Sequence, residues 1–264
     1  MLALGLLVLV PVVMWLTQSA LLMWAGLPVR VRIGARDFPH GLKRVNRVIT
    51  DATFAAVLVT YPLLRGERPW AYYSQFFPGG VRVRELVHGL AAAGLYLLLL
   101  YLAWLLTDNV RFRVRHGSRK LAMRLAGVPL TALLVALVEE MLFRGMLLAD
   151  LLESVPPVAA VAVGAAVFAG AHYVRSVKRY WTAAGHLALG VLFCLAFVST
   201  GALWLPVGLH AGGVLVLMGA RPVVRYVGPT WLVGASIFPY AGVVGLGALA
   251  LLTVNMWLCY GVRS

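Results

Sequence analysis

The sequence predicts an all-α membrane protein, a polytopic helical bundle of about eight transmembrane helices. Of its 264 residues, 62% are hydrophobic and only 12% are charged, whereas roughly a quarter of the residues in soluble domains are charged. Apolar runs of about 18 residues or more recur along the chain, and about 20 helical residues cross the roughly 30 Å hydrocarbon layer. We therefore interpret residues 1–264 as a single membrane domain.

Eight apolar runs account for this pattern. The first has no basic segment before it and no clear cleavage site, so we interpret it as a retained span and not as a signal peptide. The segment 65–85 is rich in aromatic residues, Pro and Gly, which favours a loop at the membrane interface. The predicted spans are 1–25, 48–64, 86–107, 128–152, 157–177, 181–202, 204–220 and 238–260.

The charges and cysteines narrow the class of protein further. The formal net charge is +14, but the basic residues lie between the apolar runs, which is a topology signal and suits a lipid bilayer better than nucleic acid. Arginine outnumbers lysine by 20 to 3, which indicates a GC-rich bacterial genome and hence a multi-pass protein of the bacterial inner membrane. Cys194 and Cys259 both lie in apolar runs, where free Cys is a small hydrophobe.

Ionisable side chains interrupt the fourth apolar run near its centre. Glu139, Glu140 and Arg144 lie within 128–152, and an ionisable residue inside lipid is by default a candidate for function. Glu140 and Arg144 are four residues apart, so a helix places them on one face as a charge-assisted pair. Glu139 then points about 100° away and is free to bind a water or a proton. The alternative is a structural ion pair that locks two helices together.

Two histidines lie in apolar runs beside small residues. His172 follows Phe168-Ala169-Gly170-Ala171, and His210 lies between Gly208 and Gly212. Small residues allow helices to approach closely and leave room for a water or a substrate backbone. A rise of 1.5 Å per residue places both histidines and the acidic pair within about 8 Å of one plane. Each histidine taken alone is more typical of a hydrogen-bonded structural residue.

Together these groups form a set suited to hydrolysis. Two carboxylates, a guanidinium and two imidazoles inside a helical bundle can activate a water and stabilise an oxyanion. The same set also suits a proton relay.

At these residues the sequence resembles the CPBP intramembrane proteases. That family includes the type II CAAX prenyl endopeptidases and proteins associated with bacteriocin processing or immunity. Its pattern is EExxxR, then FxxxH, then HxxxN or HxxxD, each on its own transmembrane helix. The resemblance covers about 120–220, the expected catalytic core. The matching residues are Glu139, Glu140 and Arg144 for the first motif, Phe168 and His172 for the second, and His210 for the third.

The resemblance implies a role for each matching residue. Glu139 with His172 would act as the general base that activates water, and His210 with its motif partner would bind the oxyanion. Glu140 and Arg144 would orient Glu139. A membrane-anchored protein or peptide would be the substrate.

The chain departs from the family pattern at one position. Position 214, where the family has Asn or Asp, is Val. Valine cannot donate a hydrogen bond, so another donor would have to serve, and Asn255 in the last span is one candidate. Phe168, which matches its motif, is assigned to substrate binding. Asp51 and His186 are interpreted as structural polar residues.

No cofactor is expected. The chain has no HExxH and no cysteines at zinc-binding spacing. Two His and a Glu are enough ligands for zinc, so that alternative stays open. We favour a metal-free mechanism because the arginine beside the paired glutamates competes with a cation for their carboxylates.

The leading hypothesis is an intramembrane endopeptidase acting near the end of a substrate's hydrophobic segment. A noncatalytic membrane scaffold or immunity protein of the same fold is the alternative, supported by Val214. A proton-coupled transporter is a third class, which the lack of repeat symmetry disfavours.

Overall fold

The computed structural model describes residues 1–29, 38–173, 180–234 and 238–261. Helices dominate them, so the predicted all-α class is confirmed. The π-helical segment Met141–Leu148 joins two of these helices. The α-helices are α1 (Leu2–Trp24), α2 (His40–Leu64), α3 (Pro69–Ser74), α4 (Arg84–Leu106), α5 (Ser118–Ala126), α6 (Val128–Glu140), α7 (Ala149–Leu152), α8 (Pro157–Ala171), α9 (Ala183–Thr200), α10 (Trp204–Ala220), α11 (Thr230–Val233) and α12 (Val243–Tyr260).

Six of the helical stretches are long and apolar enough to cross a membrane. They are α1, α2, α4, the continuous stretch Ser118–Leu152, α9 and α12. The helices α8 and α10 are apolar but shorter, with 15 and 17 residues. The chain is therefore a multi-pass membrane protein, while the predicted count of eight full-length spans is not confirmed. The predicted end of the fifth span, at residue 177, lies outside the described residues.

The segment between α2 and α4, expected to be an interfacial loop, contains more structure than that. Pro69 starts α3, as proline favours the first turn of a helix, and residues 80–83 form a 3-10 turn. The backbone N–H of Leu203 donates to the Phe76 carbonyl at 2.8 Å. The Trp204 indole N–H donates to the Pro78 carbonyl, also at 2.8 Å. This segment therefore covers the start of α10.

A short antiparallel sheet was not predicted. Strands β1 (Val110–Phe112) and β2 (Val224–Tyr226) pair with Val110 opposite Tyr226. They tie the chain after α4 to the chain after α10. Three residues per strand give too short an alternation for a sequence pattern to reveal.

Helices α4 and α10 pack with their backbones almost in contact. A side-chain carbon added at Gly208 would collide with the Leu86 carbonyl oxygen, and one at Gly212 with that of Leu90. Glycines four residues apart permit this close approach. It fixes α10, and with it His210, against α4.

We expect Gly208→Ala to destabilise the protein by about 1–3 kcal/mol, the usual cost of overpacking. The matched control is Gly219→Ala on the same helix, where an added carbon meets open space and alanine is the better helix former. Thermal unfolding of both variants in detergent checks the difference. Equal stability of the two would show that α4 and α10 are not held at this distance.

Candidate active site

The centre of the site is an ion pair between Glu140 and Arg144. Both side chains are fully buried, and the Arg144 Nη1 donates to Glu140 Oε1 at 3.1 Å. The Arg144 Nη2 donates to the Gly190 carbonyl on α9 at 3.2 Å. The pair expected from the i, i+4 spacing is present, and it also joins α9 to the helix that carries both charges.

The π-helical segment begins directly after Glu140. Such segments are rare and occur often at functional sites, because the wider turn shifts side chains and frees carbonyl groups. One carbonyl here, that of Gly145, accepts a hydrogen bond from the Tyr72 hydroxyl at 2.8 Å. The buried Tyr72 of α3 thus supports the segment that positions Arg144.

Three aromatic rings surround the Arg144 guanidinium. Its carbon lies 4.5 Å from the ring centre of Phe168, 5.1 Å from that of Phe193 and 6.0 Å from that of Phe143. Cation-π contacts of this kind stabilise a desolvated arginine. Phe168 is only 2% exposed and contacts the Arg144 guanidinium, and its assignment to substrate binding stays a prediction.

His210 links the two glutamates. Its Nδ1 lies 2.7 Å from Glu140 Oε1, and its Nε2 lies 3.8 Å from Glu139 Oε2. Because an ionised carboxylate only accepts hydrogen bonds, the Nδ1–H is the donor to Glu140. The ring stacks on Phe193 at 5.1 Å, with only 15° between the planes. His210 is therefore fixed with its Nε2 directed toward Glu139.

Glu139 is the accessible carboxylate of the pair. Its side chain is 31% exposed, whereas that of Glu140 is fully buried. Its Oε2, the oxygen nearest His210, is itself buried and accepts no hydrogen bond from the described residues. The 3.8 Å to His210 is too long for a hydrogen bond, but it suits two groups that bind the same water or substrate atom.

His172 lies at the C-terminal end of α8, beside this cluster. Its Nδ1 lies 2.8 Å from the Phe168 carbonyl, so Nδ1 carries the proton and Nε2 has the free lone pair. In the described part of the chain no hydrogen bond or ion pair joins it to Glu139. Among the described residues the histidine within 4 Å of the Glu139 carboxylate is His210, whereas the family resemblance implied His172 as its partner.

A further histidine, interpreted from the sequence as structural, lies against His172. The rings of His172 and His186 are 4.4 Å apart. His186 is buried, with Nδ1 at 3.0 Å from the Thr182 carbonyl and Nε2 at 3.3 Å from the Tyr240 hydroxyl. Its place in an apolar span could have revealed it, but no sequence signal identified Tyr240.

The other polar residues considered from the sequence lie elsewhere. Val214 is half-buried one turn after His210 and offers no donor. Asn255 is exposed on α12, where it lines a groove facing α4 together with His88. Asp51 is exposed on α2. Asn255 is therefore not placed to substitute for the missing motif residue.

Among residues 1–29, 38–173, 180–234 and 238–261, no group of three or more His, Cys, Asp or Glu is arranged to hold a metal ion. The Nδ1 of His210 and the Oε1 of Glu140 are already engaged with each other and with Arg144.

The fold and the site together define a multi-pass membrane protein with a charged, histidine-containing cluster inside its helical bundle. Residues 121–216 match the family model described as Rce1-like, type II CAAX prenyl endopeptidase, which confirms the resemblance to the CPBP family. The matched segment contains the complete cluster of Glu139, Glu140, Arg144, His172 and His210. Comparisons with curated proteins and with solved structures gave no match.

Proposed function

We propose that the protein is an intramembrane endopeptidase that hydrolyses a peptide bond in a membrane-anchored protein or peptide by glutamate-activated water. The observation that carries this proposal is the contrast between the two glutamates. Glu140 is fully buried and paired with Arg144, whereas Glu139 is accessible and faces His210. Two carboxylates in such different environments can take different roles. The match to a protease family supports the same reaction.

In this mechanism Glu139 is the general base. It takes a proton from a water as the water oxygen attacks the scissile carbonyl carbon, and it later gives that proton to the leaving amide nitrogen. Glu140, itself paired with Arg144, holds the His210 ring by accepting a hydrogen bond from its Nδ1. With a proton on Nε2, His210 donates toward the oxyanion that forms on the carbonyl oxygen.

His172 is the second base beside the cluster. The Phe168 carbonyl and the His186 ring fix its imidazole with Nε2 available. The Phe168 ring, whose centre lies 4.8 Å from that of His172 and 6.4 Å from that of His210, links it to the cluster. We assign it to proton transfer with Glu139, through a water and not by direct contact.

Position 214 bears on the strength of the oxyanion site. One missing oxyanion donor costs on the order of 3 kcal/mol in the transition state. We expect Val214→Asn to add a donor one helical turn from His210 and to raise the single-turnover cleavage rate, by up to about a hundredfold if placement is ideal.

The control for this variant is Val216→Asn on the same helix, half a turn further along, with Asn255→Ala as a second comparison. Both should leave the rate unchanged. If wild type is active and Val214→Asn cleaves at the same rate, the proposed oxyanion site is contradicted while the protease proposal stays intact.

We place the substrate class as proteins or peptides with a hydrophobic anchor, cut near the end of the anchor, in the inner membrane of a bacterium. The family is named for prenylated CAAX tails, but no feature of the described site requires a lipidated cysteine. A noncatalytic scaffold or immunity protein is the alternative. The accessible Glu139 weighs against it, since a structural ion pair needs only Glu140 and Arg144.

The test of the function is a comparison of membrane proteins from cells with and without the chain. We expect a small set of proteins with hydrophobic tails to accumulate uncut in its absence and to be cut again when wild type is restored. An identical pattern of cleaved and uncleaved proteins in both cell lines would overturn the proposed function.

A further inference from the structure

A cavity lies at the N-terminal end of α4. It has a volume of about 640 Å³ and lies between the start of α4 and the ends of α9 and α12. Its lining includes the polar side chains of Arg82, Arg84, Glu85 and His88 from α4 and the turn before it. Gly89 of α4 packs on α10, and none of the residues that line this cavity belongs to the catalytic cluster.

The charges in this cavity leave a positive excess among the described residues. Arg82 donates to Glu85 Oε1 at 3.0 Å and to the Thr200 carbonyl, so the Glu85 carboxylate compensates it. Arg84 is exposed and forms no ion pair with the described residues. His88 is also exposed and adds a positive charge when protonated. An anion near Arg84 and His88 would be favoured.

An apolar groove continues from this cavity along the membrane-spanning part of α4. It has a volume of about 690 Å³ and lies between α4 and α12. Small and aliphatic side chains line it, among them Ala91, Leu95 and Leu99 from α4 and Leu251 from α12. From His88 to Leu99 the helix rises about 16 Å, which is half of the roughly 30 Å hydrocarbon layer. The groove therefore has the depth of one leaflet.

His88 joins the two spaces, because it lines both of them. Its Nδ1 lies 2.6 Å from the Tyr260 hydroxyl, and the two rings are 5.4 Å apart. This contact fixes His88 at the boundary between the polar cavity and the apolar groove. A molecule that fills both spaces must have an anionic end and a hydrocarbon chain of about one leaflet in length.

We infer that this cavity and groove form a binding site for one anionic phospholipid, with the phosphate at Arg84 and His88 and one acyl chain between α4 and α12. Arginine suits phosphate through its planar set of N–H donors. Basic pockets between transmembrane helices bind anionic headgroups, and the acyl chain adds van der Waals contacts with the side chains of the groove. The inference does not depend on the proposed protease activity.

The headgroup contact is tested on the purified full chain by native mass spectrometry after equilibration with phosphatidylglycerol or phosphatidylcholine. We expect one phosphatidylglycerol to be retained in preference to phosphatidylcholine. Arg84→Gln should lower that retention about fivefold, the effect of one basic charge near an anionic headgroup, and Arg84→Gln with His88→Gln should lower it further. The control is Arg111→Gln, which removes an exposed arginine on β1.

The groove is tested by filling it. Ala91→Trp places a large ring in the groove and should reduce retention of phosphatidylglycerol. Ala250→Trp is the matched control, because Ala250 is exposed on α12 outside the groove. Thermal unfolding without added lipid shows whether each variant is folded.

Four results would overturn the inference. The first is equal retention of the two lipids. The second is phosphatidylglycerol retention that Arg84→Gln with His88→Gln does not change. The third is retention by Ala91→Trp that is no lower than retention by Ala250→Trp. The fourth is complete release of the lipid by inorganic phosphate, which would indicate a phosphate site without an acyl-chain contact.

Discussion

Glu139→Gln is expected to abolish cleavage while the protein stays folded and inserted. The amide has nearly the volume of the carboxylate but cannot take a proton from water, and loss of a general base costs about 10²- to 10⁴-fold in rate. Glu139 is partly exposed, and its described polar contact is the 3.8 Å approach to His210. Folding should therefore tolerate the change. Single-turnover cleavage of an identified substrate gives the rate, and thermal unfolding in detergent reports the fold.

The control for Glu139 is Glu67→Gln, which changes an exposed glutamate after α2 that lies 3.6 Å from Arg65. Its rate should equal that of wild type. Substantial turnover by purified Glu139→Gln protein would end the assignment of Glu139 as the base. If folded Glu140→Gln protein lost activity while Glu139→Gln protein kept it, the roles of the two glutamates would have to be exchanged.

Arg144→Met is expected to have the largest effect on stability. The side chain is fully buried, and its removal leaves the equally buried Glu140 without its cation. Breaking a buried pair in this way costs on the order of 3–5 kcal/mol. Methionine fills a similar volume, so the loss reports the charge more than a cavity. Thermal or denaturant unfolding in detergent measures it.

Two comparisons separate the ion pair from other causes. Arg111→Met removes an arginine whose side chain is 68% exposed and lies 3.9 Å from an exposed Asp108, so it should change stability little. Arg144→Met combined with Glu140→Gln should recover part of the loss, because the uncompensated charge is then gone. Equal melting temperatures for Arg144→Met and Arg111→Met would contradict the buried pair.

The features that follow a helical repeat could be predicted from the sequence. The apolar runs gave the membrane helices, and the spacing of Glu140 and Arg144 gave their ion pair, because residues four apart lie on one face of a helix. The π-helical segment was not predictable, since its side chains fit an ordinary α-helix equally well. Helix α10 has the predicted bounds 204–220, whereas α8 ends at Ala171, before the predicted end of its span, because hydropathy does not mark where a short helix ends inside a bundle.

The contacts between helices could not be predicted from the sequence. His210 reaches both Glu139 and Glu140 from a helix about 70 residues away along the chain, and nothing in the motif spacing distinguishes that arrangement from a contact with His172. The packing of the helices determines which histidine approaches the two glutamates. Packing also places His186 against His172 and Tyr240 against His186, although neither His186 nor Tyr240 belongs to the pattern that identified the other site residues.

The most direct test of the central claim is hydrolysis in ¹⁸O-labelled water by the purified wild-type chain in lipid nanodiscs, with a substrate that accumulates uncut in cells lacking it. The reaction is run with and without the zinc chelator phenanthroline, beside Glu139→Gln. We predict that the new C-terminus formed by wild type carries ¹⁸O at the same rate under both conditions, and that Glu139→Gln forms no product. Product formation by Glu139→Gln at the wild-type rate would contradict the account, and so would activity lost in phenanthroline and restored by zinc.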